Sequence, residues 1–151
     1  MERAANSVKW RLGKLRRRLR ALPLRTRRQK RRLLSGNSSL DDSARDLLRR
    51  VESRISPKDG SYAGNGEHYY KTGLSAIRAI DEALTEARIA TVQSVLDLPC
   101  GYGRVLRCLV RRFPHAKFTA CDLLRAGADF CAKMFGAEAV YSKPEMVSNT
   151  R

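Results

Sequence analysis

Apolar positions first recur with a helical period near the start of the chain. Val8, Leu12, Leu15, Leu19 and Leu22 follow one another at steps of 4, 3, 4 and 3, which puts them on one helical face. Lys and Arg occupy most of the intervening positions, and Pro23 ends the pattern, so a basic amphipathic helix is expected over 7–22. SGNSS, Ser35 to Ser39, reads as a linker. A short helix is expected after it, with Ser38 or Ser39 as its cap, Asp41 and Asp42 in its first turn, and Ala44, Leu47, Leu48, Val51 and Ile55 as its apolar face. Ser56 to Gly66 is rich in turn formers and has no period, and the boundary of the globular part is placed there.

Beyond that boundary the pattern alternates between two periods. Leu74, Ile77, Ile80, Leu84 and Ala87 predict a helix from about Gly73 to Arg88. SVLDL, from Ser94, is a short apolar run of strand type. Val105, Leu106, Leu109, Val110 and Phe113 give a second helical face that Pro114 breaks, and Lys117 to Leu123 reads as a second strand. Ala126, Phe130, Cys131, Met134 and Phe135 give a third helical face, closed by Gly136, and Ala139-Val140-Tyr141 begins a third strand. Strands and helices alternating at this spacing mean βαβ units and a parallel sheet.

Charge divides the chain differently. Fourteen Lys and Arg lie in residues 1–34 against the single acid Glu2, so this segment holds most of the formal net charge of +16. Such a segment attracts polyanions, either nucleic acid or an anionic membrane face. A solvated helix, one docked on a partner or a disordered arm is equally compatible with its composition. No stretch approaches the 18 apolar residues of a membrane span, and no apolar core of a secretory signal follows the first basic residues. The Arg-rich, acid-poor start also has the composition of a transit peptide. The four cysteines, Cys100, Cys108, Cys121 and Cys131, form no CxxC pair and no zinc spacing, and are expected to be reduced, buried thiols of a cytoplasmic protein.

The candidate chemistry sits in VLDLPCGYGRVLR, Val95 to Arg107. In a βαβ unit the loop after the first strand borders the ligand crevice. Gly101 and Gly103 allow close approach to the backbone there, and Arg104 is expected to open the next helix, whose free N–H groups favour an anionic ligand group. Three features narrow the ligand. Asp97 ends the strand, which disfavours a pyrophosphate and favours a cationic group. The third glycine of GxGxxG is absent. Asp122 ends the second strand, the place from which a carboxylate reaches ribose hydroxyls. A ribose-bearing, positively charged ligand is implied. Cys100, near the expected helix start, has no histidine close in sequence to activate it, and His115 falls in a loop at the end opposite the crevice.

Leu96 to Gly103, LDLPCGYG, resembles motif I of the class I S-adenosylmethionine-dependent methyltransferases, and Cys121-Asp122-Leu123 resembles the end of their second strand. The resemblance implies a Rossmann-like three-layer α/β sandwich, here with its first two to three parallel strands, and S-adenosyl-L-methionine as cofactor. It implies that Pro99, Cys100, Gly101, Gly103 and Arg104 line the cofactor's amino-acid part, that Asp97 contacts that part, and that Asp122 and Leu123 lie at the ribose. His68, Tyr69, Tyr70 and Gly73, on the helix before the first strand, are implied at the methionine end, although packing explains the two tyrosines equally well. Pro99 departs from the family pattern by replacing its first glycine.

The expected organisation is therefore a basic extension over 1–34, a linker with one short helix over 35–66, and a partial cofactor-binding domain over 67–151. The family's later strands, with their adenine and substrate groups, find no counterpart before Arg151, so a truncated product or a fragment with an exposed strand edge is expected. The leading functional expectation is methyl transfer to an unidentified acceptor. The alternative is a nucleic-acid or anionic-membrane binding protein acting through residues 1–34, peripheral to the membrane in the second case.

Overall fold

The computed structural model describes residues 26–35, 40–62 and 66–144. The expected helix over 7–22 and the two candidate caps Ser38 and Ser39 lie outside these residues. The described chain is mixed α/β, with a three-stranded parallel open sheet and five helices. Helix α1 covers 26–35, α2 Asp42–Arg50, and a single 3-10 turn Gly60–Tyr62 leads to α3, Gly66–Glu86. The pattern β1 (Ser94–Asp97), α4 (Leu106–Arg112), β2 (Lys117–Asp122), α5 (Arg125–Phe135), β3 (Glu138–Tyr141) then completes two βαβ units. This architecture is consistent with an incomplete Rossmann-like fold.

Local chemistry accounts for most element ends. Asp41 caps α2, its carboxylate accepting the Ala44 N–H at 2.7 Å, so the cap falls two residues beyond Ser39 and three beyond Ser38. Asp42 in the first turn and Arg49 and Arg50 in the last complement the helix dipole. Helix α3 starts at Gly66 rather than Gly73. Tyr69, Tyr70, Gly73, Leu74 and Ile77 are all buried, which extends the inward stripe one and a half turns upstream of the aliphatic positions that predicted it. Helix α5 ends on Gly136 at φ 70°, the left-handed conformation glycine adopts without a Cβ clash.

The strands lie in the order β1-β2-β3, all parallel. Register pairs Val95 with Phe118, Asp97 with Ala120 and Ala120 with Ala139, so these residues share one face. Val95, Phe118, Ala120 and Ala139 pack with Leu106, Cys108 and Leu109 of α4 and Ala128 and Cys131 of α5. Leu96, Thr119, Cys121 and Val140 fall on the other face, where Leu96 is 61% and Val140 39% exposed. A parallel sheet is normally covered on both faces; among the described residues this one is covered on one, and β1 pairs with a strand on one side alone.

The apolar cluster does not begin at residue 67. Leu33, Leu47, Leu48, Val51, Ile55 and Tyr62 belong to the same cluster as Tyr69, Leu106 and Ala137. The described residues of the expected linker are thus part of the body of the fold. Helix α1 joins it through Thr26, Gln29, Lys30 and Leu33, at the i, i+3, i+4, i+7 positions of one face. Thr26 and Leu33 are buried. The Lys30 ammonium donates to the carbonyl of Arg49 at 2.9 Å and to that of Val51 at 2.5 Å. The Tyr62 hydroxyl donates to the Gln29 side chain. Arg27, Arg28, Arg31 and Arg32 occupy the opposite, exposed face.

Candidate functional site

Strands β1 and β2 end side by side, and the segment 98–105 turns over their C-terminal ends. The Leu98–Pro99 peptide bond is cis, and Gly101 and Gly103 have φ of 50° and 73°. These positive angles keep the chain out of the right-handed helical region until after Gly103. Residues 101–105 are turns and α4 begins at Leu106, so Arg104 lies in the loop rather than opening the helix. The Gly103 N–H donates to the Cys100 carbonyl at 2.9 Å and the Cys100 N–H to the Cys121 carbonyl at 3.0 Å. The loop is thereby tied both to itself and to β2.

Asp122 is 9% exposed, and its carboxylate accepts two backbone N–H groups. One oxygen takes the Gly101 N–H at 2.7 Å and the other the Leu124 N–H at 2.8 Å. In this structure it braces the glycine loop against the end of β2. Each carboxylate oxygen keeps a further lone pair, so the bracing leaves acceptor capacity for a hydroxyl. Leu123 and Leu124 beside it are 60% and 52% exposed, an apolar rim on the loop.

Asp97 is the exception to this pairing. Its Oδ2 is buried and accepts no hydrogen bond. Burial, and secondarily the neighbouring Asp122 carboxylate, push the Asp97 carboxyl up to about 6. A buried carboxylate without a donor is costly, and a cationic donor arriving there removes that cost. Nothing lies within 4 Å of the position a Cβ would take on Gly101, so open space adjoins the loop on that side.

From below, the loop is closely packed. A Cβ on Gly127, in the first turn of α5, would lie 2.3 Å from the Gly101 carbonyl oxygen. One on Gly103 would lie 2.4 Å from the Phe135 ring and 3.1 Å from the Cys131 sulfur. Tyr102 is buried, its ring meeting Phe130 edge-on at 5.8 Å. Cys100 is 4% exposed, and burial pushes its thiol up to about 11, which is the opposite of an activated nucleophile.

Two residues implied at the cofactor lie elsewhere. Tyr70 is 1% exposed and packs edge-on against Tyr69 at 5.9 Å. Gly73 lets α3 approach α4, since a Cβ there would lie 2.8 Å from the Cys108 sulfur and 3.0 Å from the Arg104 carbonyl oxygen. Both serve the core beneath the loop rather than its open side. His115 is exposed in the connection from α4 to β2. A groove of about 1010 Å³ between α2, α3 and α4 is lined by residues such as Leu47, Leu74 and Ile77 and contains neither Asp97, Asp122 nor the loop. Ion pairs Arg78–Asp41 at 3.6 Å and Arg112–Asp81 at 3.0 Å join groups on its walls; it is a seam between helices lined in part by charged side chains.

Sequence reasoning placed Asp97, Gly101, Gly103 and Asp122 together, and the structure has them as neighbours. It missed Gly127 and Arg107. Gly127 gave no sign, because a small residue in a helix is common. Arg107, fully buried, interrupts the apolar positions directly after the glycine loop, and that was the one available hint.

Comparison with protein-family models, with curated proteins and with solved structures finds no match to the chain. Among the described residues no group of three or more His, Cys, Asp or Glu is placed to hold a metal, and no helix is long and apolar enough to cross a membrane.

Proposed function

We propose that the chain binds S-adenosyl-L-methionine and carries the cofactor-binding part of a class I type methyltransferase with a Rossmann-like sheet. The observation that carries the reading is the buried, unpartnered Asp97 oxygen beside a glycine loop that is open at Gly101. A sulfonium cofactor that also bears an ammonium and a ribose fits this donor set. Asp97 accepts from the ammonium, the backbone at Gly101 borders the amino-acid part, and the Asp122 lone pairs left by the loop accept from ribose hydroxyls. Leu123 flanks the ribose side. Bound there, the cofactor supplies an electrophilic methyl group to a nucleophilic acceptor, while this chain binds and orients it. A pyrophosphate-bearing dinucleotide would set two negative charges near Asp97, which is unfavourable. In calorimetric titrations of the full chain, S-adenosylmethionine is expected to give a saturable heat and NAD none. A heat from NAD alone would replace the reading with a dinucleotide one.

A second activity is favoured by α1. Arg27, Arg28, Arg31 and Arg32 are exposed on one face of a helix whose other face is packed on the body. This presents a fixed row of cations on the basic segment 1–34, suited to a polyanion such as RNA or an anionic membrane surface. Binding of single-stranded RNA and of anionic vesicles is expected to fall steeply as salt rises. Replacing these four arginines with Gln should reduce the slope; an unchanged slope would remove α1 from the interface.

A further inference from the structure

Arg107 lies in the first turn of α4 and is 0% exposed. All of its polar contacts are internal. Its Nε donates to the Gly103 carbonyl at 3.0 Å and Nη2 to the Tyr102 carbonyl at 3.4 Å. Nη1 donates to the carbonyls of Glu52 at 2.7 Å and Arg54 at 3.1 Å. Nη2 also donates to the Tyr69 hydroxyl at 3.2 Å, and that hydroxyl donates to Asp59 Oδ2 at 2.8 Å. Asp59 is 8% exposed, and its other oxygen accepts the Ser61 N–H and hydroxyl. The guanidinium also lies over the rings of Tyr69 and Phe135, at 5.1 and 5.4 Å.

A buried cation needs a counter-charge or full hydrogen bonding. Among the described residues no carboxylate forms an ion pair with Arg107; its charge reaches Asp59 through the Tyr69 hydroxyl. The planar fork of five donors therefore joins three parts of the chain: the glycine loop, the extended segment after α2, and the buried hydroxyl of α3.

We propose that Arg107 is the positioning residue of the glycine loop. It holds the loop by the carbonyls of Tyr102 and Gly103, and Asp59 and Tyr69 hold Arg107 in turn. Glu52, Arg54, Asp59 and Tyr69, which do not belong to the loop, thereby set the affinity of the site. The ligand part of this inference rests on the S-adenosylmethionine reading; the loop part does not.

Arg107→Lys is the obvious variant, but it unseats a buried cation and risks the fold. Tyr69→Phe keeps the ring, its stacking on Arg107 and its edge contacts, and removes only the hydroxyl between Arg107 and Asp59. In the ligand-free full chain, hydrogen exchange at the Gly101 and Gly103 amides is expected to rise at least about tenfold in Tyr69→Phe, while amides of α3 such as Leu74 and Ile77 stay near wild type. The S-adenosylmethionine Kd is expected to rise by a similar factor. Unchanged exchange at Gly101 and Gly103, or a rise shared equally by α3, would overturn the positioning role. If wild type itself does not bind S-adenosylmethionine, the functional reading fails, and the exchange data still decide the loop inference.

Discussion

Asp97→Asn is expected to make the chain more stable and to weaken its binding of S-adenosylmethionine. Because the folded Asp97 carboxyl is raised from 3.8 to about 6, its protonated form favours folding. That contribution is present in full below the unfolded value and is lost as pH rises through about 6. Above pH 7 the carboxylate, with its Oδ2 buried and unpartnered, opposes the fold. Raising a carboxyl that far is equivalent to about 3 kcal/mol; Asp97 is partly exposed, and solvent screening reduces this to on the order of 2 kcal/mol. At neutral pH, Asp97→Asn should therefore melt roughly 4–8 °C above wild type, and the difference should vanish toward pH 4. Over the same neutral range it should weaken S-adenosylmethionine binding at least about tenfold, since a charge-assisted hydrogen bond is lost. Thermal melts at two pH values, with a titration at neutral pH, check both halves. A variant less stable than wild type at neutral pH would mean that Asp97 has a partner in the free protein.

Gly127→Ala carries the second large effect, in the opposite direction. The added methyl would meet the Gly101 carbonyl oxygen at 2.3 Å, and that oxygen belongs to backbone held on its N–H side by Asp122. Helix and loop must separate, and overpacking of this kind costs about 2 kcal/mol. The variant should melt roughly 4–8 °C below wild type and bind S-adenosylmethionine more weakly, because the displaced residue is the one facing the ligand space. Gly60→Ala is the control, since nothing lies within 4 Å of its added Cβ. A Gly127→Ala protein with wild-type stability would show that α5 does not bear on the loop.

The two effects differ in how far the sequence foretold them. Strand, loop and strand were legible because periods of two and near four separate cleanly around Asp97 and Asp122, and because two glycines mark a loop of unusual backbone angles. The beginning of α4 was not legible: Arg104 looks like a helix start, yet the positive φ at Gly103 delays helical hydrogen bonding. The role of residues 40–62 was hidden for a related reason. Ser56 to Gly66 has a turn-rich composition, but composition does not reveal that Asp59 is buried under Tyr69 or that Ile55 and Tyr62 enter the apolar cluster. Tyr70 and Gly73 carry the same signature whether they cover a ligand or pack a helix, and here burial decides for packing.

Arg107 sharpens that lesson. Polar residues buried far apart in sequence, such as Asp59, Tyr69 and Arg107, leave no periodic trace. Their partners are backbone carbonyls, which every residue has. The basic face of α1 is the reverse case, where charge was obvious and position was not. The four exposed arginines follow the helical period, while the inward Thr26 and Lys30 would have been assigned to the same solvated run.

The most direct test is the affinity of the wild-type chain for S-adenosylmethionine as a function of pH. With Asp97 titrating at about 6, affinity should be nearly constant above about pH 7 and fall by close to tenfold for each pH step of one below about pH 6. In Asp97→Asn the remaining weak binding should lose that dependence. No saturable binding by a folded wild-type chain, or binding that is the same at pH 5 and pH 7, would contradict the account.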